Sequence, residues 1–152
     1  TDMSKMCTRV VDFLNNHFYI DKCKGVSTTT VFDESFIKPG FCAELDDLIE
    51  SYRVNNETFK QIHQTINDVI RANDKTVNSE VEYVKIHSTE KSGISMHITK
   101  KRGLLLKSII KTMGDASIPN IPGVKWNEIK FANASGNFDE IPIPAALRII
   151  FS

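Results

Sequence analysis

The chain has 152 residues, 41% of them hydrophobic, which suits one buried core, either a single domain or one elongated piece of a larger protein. Its 19 basic residues are balanced by 19 acidic ones, which excludes a whole-molecule field drawing it to nucleic acid or to a membrane. The 3 cysteines, Cys7, Cys23 and Cys42, are odd in number and lack C-x-x-C spacing, which excludes a disulfide framework and a zinc-binding cysteine set.

Such thiols suit a reducing compartment. No apolar run approaches a membrane span and no signal-peptide core opens the chain, so a soluble intracellular protein without a membrane partner is expected. With Thr1 in place of an initiator Met and an apolar segment barely begun at Arg148–Ser152, the chain reads as cut from something larger.

From the N-terminus, Met3, Met6, Val10, Phe13 and His17 recur at helical spacing beside Cys7, Val11, Leu14 and Phe18. An amphipathic helix is expected to end near Asn15-Asn16. Lys22 to Ser35 is irregular, with Gly25 as a turn point and VSTTTVF as an extended crossing. Pro39-Gly40 then punctuates the chain, and Pro39 biases Lys38 away from helix.

Ala43 to Asn73 is expected to form one long helix. Leu45, Tyr52, Phe59 and Ile66 fall seven apart, and Leu48, Asn55, Ile62 and Val69 follow three further on. Glu44, Asp46 and Asp47 crowd the first turn, where they complement the helix dipole. At 1.5 Å per residue the helix reaches about 45 Å, which suits an arm; the plainer alternative is a surface helix packed on an ordinary core. Phe59 and Ile62 are expected to be buried against the N-terminal helix or a returning one.

After this helix the period changes to two. Val84 and Ile86 alternate with Lys85 and His87, and Ile94, Met96 and Ile98 alternate with Ser95, His97 and Thr99. Pairing Ile86 with Met96 and Val84 with Ile98 puts a hairpin loop at Thr89–Gly93. One face then carries Val84, Ile86, Ile94, Met96 and Ile98, the other Lys85, His87, His97 and Thr99. Beyond Lys100–Gly103, LLLKSIIKTMG reads as a short helix capped by Gly114, with Lys107 and Lys111 on one face. WNEIKF is expected to add a third strand and GNFDEIPI a fourth. Pro144 then opens a returning helix over Ala145–Ser152.

The fold class is therefore α+β, long helices carrying a small antiparallel sheet. The expected organisation is a helical region over 1–80, a β-rich module over 81–141 and the start of a returning helix over 142–152. No G-x-x-x-x-G-K-[ST] loop is present. His87 and His97, with Glu82 or Glu90 nearby, match no metal-ligand spacing, and Cys42 and His63 form no nucleophile pair. No enzyme chemistry is expected from this segment.

Charge is uneven along the neutral chain. Acidic residues from Glu44 to Glu82 give way to Lys85, Lys91, Lys100, Lys101, Arg102, Lys107 and Lys111, a local basic patch. Lys100, Lys101 and Arg102 are expected to fan out from an exposed turn at the strand end, with Lys107 and Lys111 following on a helix face. Such groups neutralise phosphates without reading bases.

Two phrases carry a family resemblance. Pro39-Gly40-Phe41 with Glu44-Leu45-Asp46-Asp47-Leu48 before a long helix, then Val84-Lys85-Ile86 and Gly93-Ile94 through Met96, Ile98, Thr99 and Lys100, resemble the lever and clamp region of the MutS family of DNA mismatch-repair proteins. IKFANASGNFDEIPIPAAL is similar to that family's return to the lever. The chain departs from the family in having Ile94-Ser95 where an aromatic pair is usual, and Leu104–Gly123 matches no family pattern. KIHSTEKSG and ITKKR have the flavour of the branch found in large DNA viruses and related organelle proteins.

The resemblance implies a lever bearing a clamp that holds duplex DNA by its backbone, with Lys100, Lys101, Arg102, Lys107 and Lys111 as phosphate contacts. It also implies a dimeric parent whose ATP and Mg²⁺ bind elsewhere, no cofactor in this segment, and a location in a nucleus, viral factory or organelle. The alternative from a different class is a helical interaction arm whose stripe pairs with another protein.

Overall fold

The computed structural model describes residues 2–26, 35–75, 81–89, 91, 93–144 and 147. The fold is α+β, with helices and one four-stranded antiparallel sheet. The chain divides into two units, Thr1–Ser51 and Tyr52–Ser152.

In the first unit, helix α1 (Asp2–His17) runs on to His17, past the Asn15-Asn16 pair, and none of its residues is buried. Its end is held by strand-like exchange with the segment after the undescribed residues. Tyr19 N–H donates to Phe36 O at 2.8 Å, Lys38 N–H donates to His17 O at 2.8 Å, and Phe18 bridges Ile37. Between these lies the single turn α2 (Ile20–Cys23). The expected VSTTTVF crossing falls outside the described residues except for Val26.

Pro39-Gly40 breaks the chain as expected. Gly40 has φ of +90°, open to glycine at no steric cost, and its N–H donates to Asp46 Oδ2 at 2.7 Å. That carboxylate ties the turn to the opening of helix α3 (Ala43–Asn73), which has the expected bounds. The first residues of α3, up to Ser51, belong to this unit. Its stripe there stays open to solvent, Leu48 at 63% exposure.

In the second unit the same helix becomes a core element. Phe59, Ile62, Ile66, Asn67 and Ile70 are buried, at spacings of three and four, a broad apolar face of the kind that covers a core and not a narrow coiled-coil seam. Phe59 and Ile62 share one hydrophobic cluster with Val84, Met96, Ile98, Leu106, Ile141 and Leu147. Their expected burial is real, in a core that joins sheet residues and Leu106 of the later helix to Leu147 of the returning segment. The compact units divide at 51/52, so the second half of α3 falls in the same unit as the β-rich module and shares this core with it.

The sheet has the order β1-β2-β4-β3. Strands β1 (Val84–Thr89) and β2 (Gly93–Thr99) pair in the expected register, Val84 with Ile98 and Ile86 with Met96. Pairing continues through Thr89 and Gly93, the two residues expected to bound the loop. Val84, Met96 and Ile98 are buried, whereas Ile86, on the edge strand, remains 44% exposed. Helix α4 (Lys100–Met113) follows β2 directly and ends at Gly114, whose N–H donates to Ile110 O at 3.0 Å.

WNEIKF is not a strand. Trp126–Glu128 forms a 3₁₀ turn, and Glu128 Oε2 accepts the Lys125 N–H at 3.0 Å. Trp126 and Ile129, three apart, both enter the core, which a period of two would not allow. The third strand is instead β3 (Ala132–Asn133), paired to β4 (Phe138–Pro142). Of the expected returning helix, Leu147 is buried and its N–H donates to Pro144 O at 2.9 Å; the rest of Ala145–Ser152 lies outside the described residues.

Candidate nucleic-acid interface

The KKRG run does not form a turn. Lys100, Lys101 and Arg102 are the first turn of α4, which starts straight after Thr99. Gly103 makes this possible. It is buried, and a Cβ built there would stand 3.1 Å from Asp139 Oδ2, so the missing side chain lets α4 lie close on β4. No acidic residue occupies the first turn, which places three cations at the positive end of the helix dipole. Each such charge typically costs a few tenths of a kcal/mol or more, so the run is unfavourable for the helix alone.

The structure separates the five expected phosphate contacts into two groups. At 3.6 residues per turn, Lys100, Lys107 and Lys111 (with the 67%-exposed Leu104) line one outer edge of α4, with Lys101 beside them. The adjoining face, turned toward Ile98 and Asp139, carries the buried Gly103 and Leu106. Arg102 leaves on the other flank. Its Nε lies 3.5 Å from Asp74 Oδ2, and its guanidinium sits 4.4 Å from the centre of the Tyr83 ring.

Two of the lysines on the outer edge are engaged within the fold. Lys100 Nζ donates to Asn133 Oδ1 at 2.8 Å and lies 3.3 Å from Asp139 Oδ1. Lys107 Nζ lies 3.5 Å from Asp139 Oδ2 and 4.8 Å from the centre of the Phe131 ring. Asp139 is the shared anion, its side chain only 12% exposed. Lys101 and Lys111 are exposed and have no acidic partner among the described residues.

Arg102 joins Lys85, His87, His97, Thr99 and Phe138 along a shallow groove of about 520 Å³ on the sheet's outer face. The His87 and His97 rings stack with centroids 4.3 Å apart. Glu82 also borders the groove, but its Oε1 is 3.1 Å from His63 Nε2. Among the described residues no group of three or more His, Cys, Asp or Glu could hold a metal ion.

Sequence reading missed the polar joint beneath this surface. Asn67 Oδ1 accepts the N–H groups of Tyr83 at 2.8 Å and Val84 at 3.0 Å. Its Nδ2 donates to His63 O at 3.0 Å, and His63 Nε2 donates to Val84 O at 2.6 Å. The amide thus takes the place of a neighbouring strand at the entrance of β1. The only signal in the sequence is a histidine and an asparagine four apart on a helix, the spacing that puts them on one face.

No family model matches the chain, and no curated protein matches it. Among the described residues no helix is long and apolar enough to cross a membrane.

Proposed function

We propose that this chain is the lever and clamp segment of a MutS-like DNA mismatch-repair protein, and that it grips duplex DNA by the phosphate backbone without reading base sequence. The observation that carries the reading is the outer edge of α4. Lys100, Lys107 and Lys111, flanked by Lys101, form a row of about 16 Å on a helix that contains no acidic residue. Such a row meets several phosphates, which on each strand advance about 3.4 Å along the duplex axis per nucleotide. Long flexible ammonium groups suit phosphates of any sequence, and no base-reading side chain accompanies them on this edge. Arg102, committed to Asp74 and Tyr83, drops out of the contact set and supports the sheet joint instead.

In this reading the long helix α3 carries the clamp, and ATP and Mg²⁺ are bound by other parts of a dimeric parent. The decisive experiment is a titration of the full chain with labelled homoduplex and mismatched duplex at several salt concentrations. Affinity should fall with salt, by about 0.9 in log–log slope per phosphate engaged, and should be equal for the two duplexes. Lys101→Glu with Lys111→Glu should abolish binding to both. Salt-independent binding, or a double mutant that binds as well as wild type, would refute the reading.

A second reading, a helical arm for another protein, is favoured by α1, which buries none of its residues while presenting Met3, Met6, Val10 and Phe13. It predicts concentration-dependent association in sedimentation experiments, where a backbone clamp predicts none.

A further inference from the structure

Asp139 already supplies two lysines of the row with a negative partner. It lies on β4 and holds both Lys100 and Lys107, at 3.3 and 3.5 Å, with one carboxylate oxygen for each. Its neighbourhood is otherwise tight, since a Cβ on Gly103 would stand 3.1 Å from Oδ2. The two ammonium groups are drawn back onto the sheet, one toward Asn133 and one over Phe131. A mostly buried carboxylate facing two cations at a helix N-terminus is favourably placed by both the ion pairs and the dipole. An incoming phosphate offers the lysines the same interactions and must displace this one first.

We infer that Asp139 is an internal counter-anion that occludes half of the lysine row, leaving Lys101 and Lys111 to make the first phosphate contacts. This rests on the backbone-binding reading above and adds to it a built-in limit on affinity. Weak first contact would let the segment test DNA and release it, and full engagement would require Lys100 and Lys107 to swing outward. Each lysine is close to half exposed, at 44% and 45% of its side chain, so the swing needs no unfolding of α4.

The test compares the full chain with D139N and K101Q/K111Q, using fluorescent duplex DNA over a range of salt. Wild type should show a log–log salt slope of about −1.8, the value for two phosphates. D139N should steepen it to about −3.6 and tighten binding about tenfold at low salt, because four lysines are then available. K101Q/K111Q changes exposed residues only, so its fold should survive, and with Asp139 in place its salt-dependent binding should be lost. A wild-type slope near −3.6 that D139N leaves unchanged, or a K101Q/K111Q protein keeping half the slope, overturns the occlusion while leaving the backbone reading intact. Wild type and D139N both failing to bind at low salt overturns the two together. Should D139N fail to fold by circular dichroism, K101Q/K111Q decides alone.

Discussion

Thr1–Ser51 and Tyr52–Ser152 use the same kind of apolar periodicity in opposite ways. In the first unit Met3, Met6, Phe13 and Leu48 are 78%, 65%, 49% and 63% exposed. In the second, Phe59, Ile62, Ile66 and Ile70 are at 2% or less. Helix α3 contains both behaviours along one continuous stripe. Periodicity says which residues share a face, whereas burial requires a second layer at the right distance, and among the described residues only the second unit has a sheet to supply one. A helix of 16 residues without tertiary burial, as α1 is, gains little from its own propensity.

The sharpest way to break this comparison is truncation along α3. Phe59→Ala or Ile66→Ala should cost about 3–5 kcal/mol in denaturant melts, through lost transfer energy and a cavity. Leu48→Ala should change stability by no more than about 0.5 kcal/mol. Equal costs would show that the first half of the stripe is covered in solution. Hydrogen exchange reads the same contrast without mutation: the amides of Ile62 and Ile66 should open only with the whole unit, those of Met6 and Val10 by fraying.

The joint between α3 and the sheet comes next. Asn67→Ala strands the buried N–H groups of Tyr83 and Val84 and should cost about 2 kcal/mol or more. A cost below about 0.5 kcal/mol would mean that water replaces the amide.

Gly103→Ala should have a smaller effect. The gain of up to about 1 kcal/mol expected in a helix should be cancelled, because the new methyl meets Asp139 Oδ2 at 3.1 Å and Lys100 and Lys107 hold that carboxylate. A stabilised variant would show that the carboxylate moves aside freely. The smallest effect belongs to His87→Ala on the open face of the sheet, which should stay within about 0.5 kcal/mol despite the ring stack with His97.

Much of the fold was legible because it depends on local chemistry. The bounds of α3 follow from Pro39-Gly40 and an uninterrupted stripe, and the β1–β2 register follows from alternation that any one-residue slip would invert. The cap at Gly114 follows from a backbone that glycine alone adopts readily. These features were set by the sequence itself, through steric and periodic rules acting over a few residues.

Tertiary structure decided the rest. Trp126 and Ile129 turn as a 3₁₀ element because both must reach one core, a demand invisible in WNEIKF. Lys100 to Arg102 became helix because Gly103 lets α4 settle on β4, and that contact brings in Asp139, distant in the chain. The lysine row could be read from spacing, but not the anion that holds half of it. A charge's partner is chosen by folding in three dimensions, and sequence separation carries no trace of it.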